Sequence, residues 1–415
     1  MQPPRSALPG APTLLAGLLA LAAWIAHKES HVPEGLDFGM RVPTDLHVYL
    51  LAGRRLNEGG LLYDAPLLGE LPFTYPPFAA GIFRWLATLS PDLATILWQS
   101  ANLAALVAVV LMVLQERGRA LTLPVVAVGV AFAAAAFSLE PVRGSFFYGQ
   151  INMLLVLLVA LDLLPKGRRW AGLGIGVAAG LKLTPAFLLL VLLMERRFRA
   201  LLLAAAGFLG TVLLGFAVVP DAGRFWVDAM FDSGRVGAHA NPGAQSIRSV
   251  LERNLGVESP AVWLAVAVPV AALTALAVWL AVRRGNRSVA LALAGIASCL
   301  VSPFSWFHHW VWVVVAAVAA AAALAERFDA RGSWFLSQLG ALVTLGALAL
   351  IALPYVSGVL SPELAYFSRA WDPSHPWNLL FTGAGLAFIA GYALYAGLLE
   401  RKSLISATKR AGSAE

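Results

Sequence analysis

The chain has 415 residues, of which 59% are apolar and 13% charged, with a formal net charge of +7 and a single cysteine. Apolar runs long enough to cross a bilayer recur along its whole length, which excludes a soluble domain. The basic residues sit in short clusters between those runs, so the positive charge reads as the inside bias of a membrane protein and not as a nucleic-acid surface. A transmembrane β-barrel is excluded too, since it needs short alternating segments where this chain has continuous Leu, Ala and Val. Cys299 has no partner for an internal disulfide and lies in an apolar run, where packing is its expected role.

Residues 12–27 form the first apolar run, behind Arg5. Its modest length fits a signal peptide or an uncleaved anchor, and the anchor is favoured; either way residue 28 onward starts outside. The first outer loop, 28–90, carries two expected surface helices. In Asp45–Asn57 the residues Leu46, Tyr49, Leu50 and Leu56 share one face, Thr44 or Asp45 can cap the start, and Gly59-Gly60 ends it. Phe73-Thr-Tyr-Pro-Pro77 then leads into Phe78–Leu89, too short to span, with Pro76 or Pro77 in its first turn.

Basic clusters at Arg117/Arg119, Lys166/Arg168/Arg169, Arg196/Arg197/Arg199, Arg283/Arg284/Arg287, Arg327/Arg331 and Arg401–Arg410 mark the cytoplasmic side. Apolar runs between them predict ten crossings: 10–27, 91–115, 121–139, 150–165, 200–220, 259–282, 288–303, 309–326, 335–353 and 377–399. The run 171–194 has basic residues at both ends and Lys182-Leu-Thr-Pro185 at its centre, so it is expected to form a broken helical hairpin. The fold class is therefore an all-α polytopic membrane protein, one domain of about twelve membrane segments with a cytoplasmic tail at 400–415. Its larger loops, 28–90, 139–149, 221–258, 304–308 and 354–376, face outside and hold most of the acidic residues. No internal repeat, Walker loop, dinucleotide fingerprint or metal-ligand spacing is present.

Asp45 is the first candidate for chemistry, because it starts an amphipathic helix at the water–lipid boundary; an N-cap carboxylate is the equally weighted bland role. Ser302-Pro-Phe-Ser-Trp-Phe-His-His309 falls at an outer turn where imidazole can bind phosphate or move a proton. Adjacent helical side chains diverge, so one histidine is expected to face the site, His309, with His308 in support. Tyr148, Gln150 and Asn152 open a crossing from outside and suit a hydroxyl-rich ligand or an interhelical hydrogen-bond pair. Lys182 is costly in an apolar segment and suits a bound phosphate better than snorkelling. Arg143 and Arg248 are weaker phosphate candidates on outer loops, where an ordinary solvated charge is the favoured role for both. Trp226, Trp306, Trp371 and Trp377 are expected mostly as headgroup anchors.

In order, Asp45-Leu-His-Val-Tyr49, Tyr63, Thr74-Tyr75-Pro-Pro77, Gly149-Gln-x-Asn152, Gly180-x-Lys-x-Thr-Pro185 and Ser302-Pro-x-Ser-Trp-x-His-His309 resemble the GT-C glycosyltransferases of family 87 over about residues 40–310. The resemblance implies an integral-membrane enzyme that takes mannose from polyprenyl-phosphate-mannose at the periplasmic face of the plasma membrane. It implies Asp45 as base and His309 in the active site. The form of the first motif looks most like members that add an α-1,2 mannose to a phosphatidylinositol mannoside, from the fourth mannose to the fifth. An α product from a β-linked donor means inversion, in which Lys182 and His309 hold the leaving phosphate. No metal or other cofactor is expected, since a monophosphate carries less charge than a pyrophosphate and no Asp-x-Asp pair lies near Asp45. A lipomannan-branching enzyme, another lipid-linked-sugar transferase and a lipid-sugar transporter or flippase remain as alternatives; the last would need the pseudo-symmetric halves that the chain lacks. A non-catalytic scaffold would leave Asp45, Lys182 and His309 without purpose.

Overall fold

In the computed structural model, residues 10–29, 42–329, 334–353 and 379–411 are described. The outer loop 354–376, with Trp371, and also Trp377 and Arg5, lie outside them. All regular structure among the described residues is helical; pairing of extended backbone is limited to single bridges, Leu68 with Leu71 and Ala244 with Trp306.

The helices in chain order are α1 (Ala11–Glu29), α2 (Thr44–Asn57), α3 (Pro77–Leu86), α4 (Pro91–Glu116), α5 (Leu123–Ala135), α6 (Glu140–Phe147), α7 (Asn152–Leu163), α8 (Leu173–Leu181), α9 (Leu189–Met194) and α10 (Phe198–Val218). The single turn α11 (Ala222–Arg224) leads into the segment expected as an outer loop, followed by α12 (Ile247–Leu255), α13 (Pro260–Arg283), α14 (Arg287–Val301), α15 (Val313–Asp329), α16 (Trp334–Ala352) and α17 (Leu380–Ala411). Among the described residues four stretches are long and apolar enough to cross a membrane: α4, α10, α13 and Leu380–Arg401 of α17. Shorter apolar helices, α14 and α15 among them, fill the spaces between these. On α10, Leu202, Leu209, Leu213 and Phe216 are exposed, an apolar surface that only lipid or another protein can cover.

The helices α2 and α3 pack together and α3 packs on α10, as the apolar face of α2 dictates: Leu46, Tyr49, Leu50 and Leu56 are all buried. Pro77 occupies the first turn of α3, where its missing N–H costs nothing. The segment read from sequence as the loop 139–149 is instead mostly helix. The chain bends by 83° between Leu123–Ser138 and α6, with Pro141 starting the new helix.

Residues 171–194 break after Leu181, where Lys182 adopts an extended conformation (φ −154°, ψ 129°) and a 3₁₀ turn Thr184–Leu188 leads into α9. Both ends of the segment return to one residue. The Asp162 carboxylate accepts the Ile175 amide at 2.8 Å near the start of α8, and the Asp162 carbonyl accepts Arg197 Nη1 at 3.3 Å just beyond α9. Gly172 makes the entry possible, since its φ of +104° and a Cβ position 1.9 Å from the Ala200 carbonyl oxygen exclude any side chain.

Candidate active site

The first turn of α2 is held from outside its own sequence. The Tyr148 carbonyl accepts the amides of Asp45 (3.0 Å) and Leu46 (3.3 Å), which are orphan donors of a helix start. The N-cap residue is Pro43, and no side chain caps the helix, so neither Thr44 nor Asp45 has the capping role that the sequence allowed them. The Tyr148 carbonyl leaves the Asp45 carboxylate free to turn elsewhere. Tyr148 reaches α2 because Gly149 turns with φ +69°, and a Cβ there would stand 2.8 Å from those of Pro43 and Leu46.

The Asp45 carboxylate accepts the side-chain amide of Gln150. The Gln150 carbonyl accepts the Tyr75 hydroxyl at 2.8 Å, and Tyr75 accepts the Tyr49 hydroxyl at 2.7 Å. Lys182 joins from the hairpin break, with Nζ at 3.4 Å from the Tyr75 hydroxyl, 3.4 Å from Gln150 Oε1 and 3.1 Å from Asn152 Oδ1. It also lies 5.2 Å from the Tyr75 ring centroid, a cation–π distance. Among the described residues every hydrogen-bond partner of this ammonium is neutral, so no ion pair holds it. Asn152 in turn donates to the His308 carbonyl at 2.7 Å, which ties the start of α7 to the histidine turn.

Asp45 is half-buried, and removing its carboxylate from water pushes its pKa up to about 6, against the opposing pull of the Gln150 hydrogen bond and the Lys182 charge. A carboxylate near pH 6 is ionised at neutral pH and still basic enough to share a proton with a hydroxyl in a transition state.

The histidines divide their roles differently from the expectation. His309 Nδ1 accepts the Trp306 backbone amide at 3.2 Å, so part of that ring closes its own turn. His308 is 4% exposed, and both of its ring nitrogens lack a hydrogen-bond partner among the described residues. Its ring centroid lies 5.0 Å from that of Tyr148 and 6.1 Å from that of Trp306, on which it stacks. The two residues sit on a 3₁₀ turn, Phe307–His309, packed against α6 rather than on a regular helix.

Arg143 pairs with the fully buried Glu140 at 2.6 Å, three residues earlier on α6. Arg248 belongs to a different group, donating to Ser233 at 3.2 Å and lying 5.9 Å from the Trp263 ring. The structure thus joins Asp45, Tyr75, Gln150, Asn152, Lys182 and the histidine turn, and sets Arg248 apart. Sequence reasoning missed Tyr49 as a polar member, since its spacing marks only an apolar face. It also missed Trp98 and Gln99, which donate to the carbonyls of Gly149 and Phe146 at 2.8 Å and so hold the Tyr148 turn. Both sit inside the apolar run of α4, with no local signal.

The sequence profile of glycosyltransferase family 87 matches residues 73–303. The chain is 35% identical over 368 residues to the polyprenol-phosphate-mannose-dependent alpha-(1-2)-phosphatidylinositol pentamannoside mannosyltransferase of Mycobacterium tuberculosis (strain CDC 1551 / Oshkosh), covering 86% of this chain and 80% of the relative. It is 33% identical to the protein of the same name from Mycolicibacterium smegmatis, over 91% of this chain and 87% of that one. A polyprenol-phosphate-mannose-dependent alpha-(1-2)-phosphatidylinositol mannoside mannosyltransferase of Mycobacterium tuberculosis (strain ATCC 25618 / H37Rv) is 35% identical over 73% of this chain and 74% of its own length. No solved structure matches. With more than half of the chain inside the family profile and relatives above 30% identity over at least 80% of their length, the chain belongs to glycosyltransferase family 87.

Proposed function

We propose that this protein is an inverting mannosyltransferase that moves mannose from polyprenyl-phosphate-mannose to the 2-hydroxyl of a mannose on a phosphatidylinositol mannoside, taking four mannoses to five. The reaction would run at the periplasmic face of the plasma membrane, in a GT-C bundle of about ten crossings plus the 171–194 hairpin. The relatives' names supply the donor and acceptor classes. The observation that carries the chemistry is the Asp45–Gln150–Tyr75–Lys182 network, which sets one base and one cation around a common amide.

Inversion by a single displacement needs a base on the attacking hydroxyl and positive charge on the leaving phosphate. Asp45 takes the proton of the acceptor hydroxyl as its oxygen bonds to the anomeric carbon. The bond from that carbon to the phosphate oxygen breaks on the opposite face, and polyprenyl phosphate leaves with the electron pair. Lys182 stabilises the leaving phosphate, and His308, with its free ring nitrogens, hydrogen-bonds either the phosphate or a sugar hydroxyl. Lys182 supplies the counter-charge in this scheme, which therefore calls for no divalent ion.

The test is transfer of radiolabelled mannose from polyprenyl-phosphate-mannose to tetramannosylated phosphatidylinositol, in membranes carrying wild type or Asp45→Asn at matched expression. Product from wild type alone supports the reading. Full activity in Asp45→Asn would sink Asp45 as base, and since no side-chain cap is lost in that variant, a loss of activity is not a capping effect. Shorter and longer phosphatidylinositol mannosides belong in the same assay, because relatives named for the pentamannoside and for the mannoside are equally similar, at 35%.

A further inference from the structure

The outer segment between α11 and α13 holds a polar cluster that the transfer scheme does not use. Arg248 on α12 donates from Nη1 to Ser233 Oγ at 3.2 Å, and Ser233 Oγ lies 3.0 Å from His239 Nε2. On its other side His239 Nδ1 lies 3.0 Å from Ser249 Oγ, which is 2.9 Å from Ser246 Oγ, and Ser246 donates to the Pro303 carbonyl at 3.3 Å. The order that leaves no hydroxyl proton idle runs from Arg248 through Ser233, His239, Ser249 and Ser246 to that carbonyl. A chain of this kind fixes Arg248 in place before any ligand arrives.

Arg248 Nε is buried without an acceptor, and so is Nη2 of Arg235, on the same short turn as Ser233. Neither guanidinium forms an ion pair among the described residues, although Glu252 lies close enough to act on His239. A buried guanidinium N–H with no acceptor is costly, and a carboxylate or phosphate is the partner its fork fits. The cluster meets the active site through a chain of aromatic rings. His239 contacts Phe304 (5.1 Å), Phe304 contacts Trp306 (5.0 Å), and Trp306 stacks on His308.

We infer that Arg235 and Arg248, with Ser233, form an anion site for the phosphodiester of the glycolipid acceptor, separate from the Lys182 site for the donor phosphate. The inference rests on the proposed acceptor being a phosphoinositide glycolipid. Such an acceptor carries its only phosphate at the inositol, away from the mannose that is extended, so a second cationic site at a distance from Asp45 answers its shape. The site would select acceptors by their headgroup while leaving the sugar chemistry to the Asp45 network.

The experiment compares wild type, Arg248→Ala, Arg248→Lys and Arg235→Ala in detergent, with two acceptors: tetramannosylated phosphatidylinositol, and octyl α-D-mannoside, which has no phosphate. Loss of a charge-assisted pair is expected to raise the KM for the phosphorylated acceptor about tenfold or more, with donor KM and the KM for octyl mannoside within twofold of wild type. Arg248→Lys is expected to fall between, because it keeps the charge and loses the fork. A rise in donor KM instead would place the donor phosphate here and overturn the inference, as would equal losses on both acceptors, the mark of a structural role. Arg235 has no hydrogen-bonded relay to lose, so its variant stays informative if Arg248→Ala does not fold. No product from wild type on either acceptor would remove the mannosyltransferase reading itself, and the inference with it. Unchanged KM values in all variants would remove the inference alone.

Discussion

Gln150 binds Asp45 through its amide and Tyr75 through its carbonyl, so a residue 105 positions along the chain fixes the orientation of the α2 carboxylate. The amide cannot reverse without setting its carbonyl against a carboxylate. This one-way arrangement makes Gln150 a positioning residue, and it bears on how activity depends on pH.

The base is active when ionised, and burial holds Asp45 at about 6. Below that value, log kcat/KM should fall by about one per pH unit, and above it a plateau is expected. Gln150 lowers the pKa, so Gln150→Leu should move the acid limb to higher pH as well as reduce the plateau. A pH–rate profile of both proteins checks this; a limb that stays put in Gln150→Leu would detach Gln150 from the base.

Lys182→Met keeps the unbranched stem of the side chain and removes the ammonium with its charge. Transfer is expected to fall by about 10²- to 10³-fold, as when one preorganised donor to a developing anion is removed. Lys182 also lowers the Asp45 pKa, so the acid limb should shift upward in the same variant. A profile measured at saturating donor separates the two effects.

The histidine turn gives a paired expectation. His309→Ala removes the acceptor for the Trp306 amide and should cost about 1 kcal/mol of stability, read as a lower midpoint of thermal unfolding in detergent. His308→Ala breaks no side-chain hydrogen bond in the structure, so its midpoint should change less while transfer falls. Equal activity losses with equal destabilisation would leave His308 without a substrate-facing role.

Gly149→Ala should disturb the base from a distance. Its left-handed backbone and the approach of Pro43 and Leu46 leave no room for a methyl group. A strain of about 1–2 kcal/mol is expected, with the start of α2 displaced and activity lower than that of a Gly59→Ala control, where a Cβ meets nothing.

Much of this arrangement is legible in sequence, for reasons that can be named. The face of α2 follows from Leu46, Tyr49, Leu50 and Leu56, the start of α3 from Pro77, and the break at Lys182 from a charge and a proline in an apolar run. Legibility ends where a partner is remote. Asp45 looks like a helix cap because capping is local, and only the fold brings the Tyr148 carbonyl to do that work. The ring of His309 looks outward on an ideal helix, but a 3₁₀ turn sends it back to Trp306. Tyr49 counts as apolar in any periodicity, and its hydroxyl gains meaning only when Tyr75 stands beside it.

The return of both ends of the 173–197 segment to Asp162 has a consequence for how the molecule could change. A full span inverts the sidedness of everything that follows it, whereas an excursion that begins and ends at one residue leaves that parity untouched. If residues 171–194 form the broken hairpin expected from sequence, the cation of the site rides on an element whose length and apex can vary without re-orienting any later helix. Asp45 sits on α2, the helix expected from sequence to lie along the membrane surface, so on that reading the proposed base and its counter-charge are both carried by parts of the chain that do not set the topology.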